Sequence, residues 1–163
     1  MSGSERDPAG VALAEIAGLR DRLRRLEDER EIGLVLASYG PGLDDGDEKG
    51  WADCFTDDGV WETTGPGMRR RHHREGREEL LEFARQHTRS PEHLHKHCVF
   101  GSRIGVDGDA AVAVSYFVRL DALPDGPVVV AFGRYHDRLE HVSGVWKIAH
   151  RRCEIQSTGP RQA

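Results

Sequence analysis

From Tyr39 to Asp47 the chain reads Tyr-Gly-Pro-Gly-Leu-Asp-Asp-Gly-Asp, and far downstream it reads His93-Leu94-His95-Lys96-His97. Phenols, carboxylates and imidazoles are the side chains that exchange protons with a bound compound near neutral pH. Gathered at the mouth of a curved sheet, they would make a proton-transfer site. Removing water from a hydroxy-carbonyl compound needs a base for an acidic C–H, a donor to the enol oxygen and an acid for the departing hydroxyl. One histidine can be both base and acid if the proton need only cross a pocket. A carboxylate on its other ring nitrogen would fix the tautomer and stabilise the imidazolium. Each of these residue types also has an ordinary structural use. Acids cap turns such as Leu-Asp-Asp-Gly-Asp, a tyrosine can end an amphipathic helix against a core, and a strand histidine can simply satisfy a hydrogen bond.

A metal is the other chemistry that three histidines invite. His93, His95 and His97 stand at alternate positions, so an extended strand would point all three to one face, and imidazole suits zinc, copper or iron. Strand rise spreads them along about 13 Å, too far to close on one ion. No metal and no cofactor is expected.

The elements that must position these residues can be read from periodicity. Residues 1–10 are expected to be disordered. Residues 11–26 form a helical extension in which Ile16, Leu19, Leu23 and Leu26 follow the 3-4-3 spacing of a coiled-coil seam. That helix either docks on a partner or lies solvated on its own domain. A second helical register, Ile32, Val35, Leu36 and Tyr39, should end at Gly40-Pro41-Gly42. Asp47 reads as the N-cap of a short helix carrying Trp51, Ala52, Cys54 and Phe55, followed by a turn at Thr56–Gly59 and a strand at Val60–Thr64. Residues 68–73 are a basic patch, either a solvated strand or loop or an anion site.

A third helix is predicted over Glu78–His87, and long strands over 93–106, 109–121, 127–141 and 145–156. Asp107-Gly108-Asp109, Asp125-Gly126-Pro127 and Ser143-Gly144 mark the turns between them. Helices followed by a meander imply an α+β fold with the helices on one face of a curved sheet. Its domain is expected over 27–156, with a flexible tail at 157–163. Trp61, Tyr116 and Tyr135 are the candidate walls of an apolar pocket. Arg134, Arg151 and Arg152 read as outward strand charges that could otherwise hold a carboxylate.

With 163 residues there is chain enough for one domain with a core and a modest cavity. A net charge of −5, without a long block of one sign, offers no groove for nucleic acid and no patch for an anionic membrane. No run is long and apolar enough to span a bilayer and the start has no apolar leader, so a cytoplasmic location is expected. Cys54, Cys98 and Cys153 match no zinc or redox spacing and are expected to be reduced and mostly buried.

In their order and spacing, several pieces resemble the SnoaL-like branch of the nuclear transport factor two-like superfamily. They are Tyr39 to Asp47, Trp51 to Trp61, Gly76-Arg77-Glu78-Glu79-Leu80, His97, Val106 to Ala110, Gly133 to Asp137 and Gly144 to Ile148. The resemblance implies a cone-shaped α+β barrel around a mostly apolar pocket, and many members pair through the outer sheet face. A homodimer or higher homo-oligomer and a small apolar substrate are therefore expected. Dehydratases, ketosteroid-type isomerases and polyketide cyclases share this architecture with non-catalytic subunits.

The resemblance is chemically nearest to scytalone dehydratase and bacterial bile-acid dehydratases, whose Asp-His pair falls on Asp44 and His97. The bile-acid enzymes carry a tyrosine at the position of Tyr39. Two tyrosines that hold water in the fungal enzyme fall on Leu43 and Thr63, so its mechanism does not transfer whole. The resulting expectation is a dehydratase-type lyase acting on a cyclic hydroxy-carbonyl metabolite, polyketide- or steroid-like. His97 would be base and acid, Asp44 its orienter and Tyr39 the donor to the enolate. A cyclase or isomerase is the near alternative, and a ligand-binding or assembly module the distant one.

Overall fold

The computed structural model describes residues 8–66, 71–87 and 93–159. Its elements in chain order are α1 (Pro8–Asp44), α2 (Glu48–Asp53), β1 (Phe55–Thr64), β2 (His73–Glu75), α3 (Gly76–Gln86), β3 (His95–Asp107), β4 (Ala110–Leu123), β5 (Gly126–Val142) and β6 (Val145–Thr158). The six strands form one sheet in the order β2-β1-β6-β5-β4-β3. β1 runs parallel to β6, and every other neighbouring pair is antiparallel. α1 touches both the edge strand β3 and the more central β6, so the sheet curls around the helix.

Alternation sets the two faces. Ala111, Ala113, Ser115 and Phe117 of β4 are buried, while Val112 and Tyr116 between them are exposed. The buried face joins Tyr135 and Leu139 of β5 and Ile148 and Cys153 of β6. Ile32, Leu36 and Tyr39 of α1, Trp51 of α2 and Leu80 and Ala84 of α3 complete the core. Gly108 with φ 59°, and Ser143 and Gly144 with φ 52° and 85°, make two of the hairpin turns, as their sequences predict.

Several expectations need correction. Residues 8–10, expected to be disordered, already belong to α1, and β6 continues to Thr158 into the expected tail. Gly40-Pro41-Gly42 does not end a helix: one helix runs through it to Asp44. Its glycines serve close approach rather than termination. A Cβ at Gly40 would collide with the carbonyl oxygen of His97, and one at Gly42 would stand 2.8 Å from Trp51 Cβ. Packing on both sides holds the final turn in spite of Pro41, the Asp45 amide bonds the Pro41 carbonyl at 3.0 Å, and Gly46 with φ 76° leads the chain out.

Asp47 does cap α2, accepting a bond from the Gly50 amide at 2.9 Å. Phe55, however, opens β1 rather than closing α2, and the expected turn at 56–59 is an irregularity inside that strand. The solvated part of the basic patch at 71–73 leads into the short β2, while 68–70 lie outside the described residues, as do 1–7 and 160–163.

Residues 11–27 of α1 are all exposed, so this extension does not lie along its own domain. The Trp146 indole ties the helix to the body just beyond this stretch, donating to Asp28 at 2.9 Å. Cys54 and Cys153 are buried and free, whereas Cys98 is exposed.

Candidate active site

Gly40 and Asp44 lie four residues apart, one above the other on the same face of α1. Because Gly40 has no side chain, the helix closes onto β3 there and brings Asp44 against His97. The His97 ring Nδ1 lies 2.6 Å from Asp44 Oδ1, and the His97 backbone amide donates to Oδ2 at 2.9 Å. A carboxylate accepting both bonds requires the proton on Nδ1, which leaves Nε2 as the basic lone pair of the ring. The Asp44 side chain is 2% exposed and that of His97 10%. Burial opposes ionisation of Asp44, but the two bonds and the nearby imidazoles outweigh it and hold the carboxyl below its usual range.

His95 joins this pair, which sequence reasoning missed. Its ring Nδ1 donates to the His93 carbonyl at 3.1 Å, and its Nε2 sits 3.2 Å from Asp44 Oδ1, off the line of a hydrogen bond. Burial pulls its pKa below the usual histidine value, against the raising influence of the His93 carbonyl and Asp44. His93 instead turns to Asp121 at 2.9 Å. The three strand histidines therefore do not close on one point, and it is a second element, α1 with Asp44, that gathers two of them. The side chains of His95 and His97 converge on Asp44, with one ligand atom from each within 4.8 Å of the others. A metal would fit the donor types. The 2.6 Å contact between Asp44 and His97 is nonetheless the spacing of a charge-assisted hydrogen bond.

Tyr39 lies on a different face of α1 from Asp44, since five residues turn a helix by about 140°. Its hydroxyl oxygen accepts a bond from the Trp61 indole at 2.8 Å. Its ring meets Tyr135 edge-on at 5.4 Å, and Tyr135 stacks on Phe117 at 4.6 Å. A chain of ring contacts connects it to the histidines: Trp61 to Phe83 at 4.4 Å, Phe83 to His87 at 5.9 Å and His87 to His97 at 5.3 Å. Burial raises the Tyr39 pKa well above that of a free phenol, so it stays a protonated donor.

Trp61 and Tyr135 therefore sit where an inner wall is expected, but Tyr116 does not. It is 45% exposed on the outer face, against Phe100 and under the Arg134 guanidinium. A one-residue step along β4 reverses the side of the sheet, and composition alone could not set that register.

Arg151 is the larger surprise, because a strand charge was expected to point outward. It is completely buried, forks onto Asp137 at 2.7 and 2.9 Å, and lies in the corner formed by the Tyr39 and Tyr135 rings, 4.1 and 4.3 Å from their centroids. Its Nη1 has no hydrogen-bond partner among the described residues. The signal was present in the register, which pairs Asp137 with Arg151 across β5 and β6. Arg152 is exposed, as expected. An open cavity of about 810 Å³ on the outside of α3 is lined by His73, Arg74, Glu78, Glu79, Glu82, Arg85 and Gln86 and contains none of these site residues.

A family model described as a SnoaL-like domain matches residues 24–152. Among solved structures, a protein of unknown function from Mycobacterium tuberculosis is similar at 31% identity and a TM-score of 0.71, over 80% of this chain and 77% of that one. An NTF2-like protein with a cystatin-like fold from Novosphingobium aromaticivorans aligns at 23% identity and a TM-score of 0.75, over 85% and 88% of the two chains. A candidate scytalone dehydratase from the same organism aligns at 18% identity and 0.66, over 85% and 91%. At such identities the last two are likenesses of fold. Comparison with curated proteins finds no match.

Proposed function

Because this chain belongs to the SnoaL-like family, we propose that it is a cofactor-independent lyase that eliminates water from a cyclic, largely apolar hydroxy-carbonyl compound. The observation that carries this reading is the 2.6 Å bond from His97 Nδ1 to a buried Asp44, which aims the basic Nε2 away from the carboxylate. In the first step Nε2 takes the acidic proton beside the carbonyl, and the electron pair moves into an enolate. Asp44 stabilises the resulting imidazolium, and the Tyr39 hydroxyl donates to the enolate oxygen. In the second step the imidazolium returns its proton to the leaving hydroxyl. Water departs, the new C=C bond forms and the carbonyl is restored. Trp61 fixes the Tyr39 oxygen, and Trp61 and Tyr135 bound the apolar side of the site.

Double-bond migration and aldol-type ring closure pass through the same enolate: an isomerase of polyketide- or steroid-like compounds returns the proton to a different carbon, and a cyclase lets the enolate carbon attack a second carbonyl, whose oxygen takes the proton from the imidazolium. The test is to incubate purified protein with a panel of cyclic β-hydroxy ketones and follow loss of water by mass spectrometry. Wild type should convert at least one compound, while His97→Gln, folded by circular dichroism, should not. Equal turnover by His97→Gln would end the assignment. A non-catalytic assembly module is the second reading, favoured by the exposed apolar stripe on α1. It predicts retention of a compound without conversion.

A further inference from the structure

The first half of α1 presents apolar side chains to solvent. Ile16, Leu19, Leu23 and Leu26 are 45 to 63% exposed, and residues 11–27 around them are exposed throughout. In proteins most helical stability comes from packing an apolar face rather than from propensity, and this apolar stripe is not packed within its own chain.

The body of the same chain is on the wrong side to supply it. The stripe that enters the core consists of Ile32, Leu36, Tyr39 and Leu43. At 3.6 residues per turn, that stripe points about 150° away from the stripe of Ile16, Leu19, Leu23 and Leu26. Asp28, tied to Trp146, lies on the body-facing side as well. Among the described residues none covers this stripe, which leaves it open to another molecule.

The charges beside the seam identify that molecule. With Ile16 and Leu23 at a positions and Leu19 and Leu26 at d, the flanking g positions are Glu15 and Arg22 and the e positions are Arg20 and Glu27. In a parallel pair each g residue faces the e residue five positions later on its neighbour. Glu15 then meets Arg20, and Arg22 meets Glu27, each twice by symmetry. An antiparallel pair that matches Ile16 with Leu26 instead sets Arg22 against Arg22, and Glu15 against Glu29, so like charges face. The next a position is the exposed Arg30, where the seam ends as the helix enters the domain.

We propose that residues 12–27 of α1 form a parallel two-stranded coiled coil with a second copy of this chain. Ile at a with Leu at d suits two strands. Each domain hangs from the outer side of its own helix, so the two bodies flank the coil without colliding. This interface is independent of the chemistry assigned to His97.

Sedimentation velocity on the full chain tests it. Wild type should be a dimer, and Leu19→Glu/Leu23→Glu should be a monomer with an unchanged near-ultraviolet spectrum from the domain. Arg20→Glu should weaken the dimer about five-fold or more, and adding Glu15→Arg should restore it. In a Cys98→Ser background, Leu19→Cys should form a disulfide-linked dimer, since parallel strands bring the two copies of position 19 together. A monomeric wild type overturns the proposal, as do a dimer indifferent to the Leu19 and Leu23 changes, failure of Glu15→Arg to rescue, and absence of the position-19 crosslink.

Discussion

Asp44 and Asp137 are both buried carboxylates, each held by a neighbour that can carry positive charge, and they sit in contrasting surroundings. Asp137 meets a permanently charged guanidinium, with neither side chain exposed and the rings of Tyr39 and Tyr135 packed against Arg151. Asp44 meets an imidazole that keeps some exposure, and both its oxygens accept from the same residue. The first pair has no proton to move near neutral pH: its arginine is raised above its already high pKa because Asp137 outweighs burial. The second pair has a group whose charge can change during a reaction. The difference separates a charge that organises a core from one suited to chemistry, and burial alone does not distinguish them.

Substitutions can break the comparison. Asp44→Asn should lower turnover by about 10⁴-fold, by analogy with losing the orienting acid of a hydrolase triad, with a smaller loss of stability than at Asp137. Calorimetry beside kinetics checks both halves, and an active, destabilised variant would make Asp44 a structural acid like Asp137. Asp137→Asn should do the reverse, costing roughly 3–5 kcal/mol in denaturant unfolding because Arg151 is left buried and uncompensated. Arg151→Met/Asp137→Leu should recover much of that loss.

Tyr39→Phe should cost on the order of 10²-fold in kcat, the scale of one lost oxyanion donor. A loss confined to stability would reduce Tyr39 to an acceptor for Trp61. Gly40→Ala should destabilise by about 1–3 kcal/mol and lower activity by parting α1 from β3. Gly33→Ala is its control, because a Cβ there meets nothing within 4 Å.

The smallest effect is in pH dependence. Asp44, depressed below 3.8, contributes stability that is complete above that pH and lost as the pH falls through its folded value. His95, depressed below 6.5 by burial, takes up a proton more readily when unfolded, so its contribution is complete above 6.5 and declines on acidification. Unfolding free energies of His95→Asn against pH should lack the decline that begins near 6.5. An unchanged curve would mean that His95 is not held neutral.

Much of the fold was legible locally. The cap at Asp47, the turns at Gly108 and Ser143-Gly144, α3 and the four long strands follow from short-range rules about side-chain capping, positive φ and periodicity. At Gly40-Pro41-Gly42 local propensity argues for a break, whereas contacts with His97 and Trp51 carry the helix through. Asp44 and His97 were found through a resemblance rather than through spacing. His95 was missed because its role depends on side-chain convergence that strand rise does not capture.

The amino-acid sequence alone determined the elements and the chemical types available, because backbone preferences and hydrophobic period act over a few residues. It also set the order of charges along the first half of α1. Tertiary structure decided which acid meets which base, that Arg151 faces inward and Tyr116 outward, and that Tyr39 lies apart from Asp44 on the helix. Those outcomes depend on strand register and on how closely α1 approaches β3. In a sheet a shift of one residue exchanges the two faces, and no short stretch of chain encodes that choice.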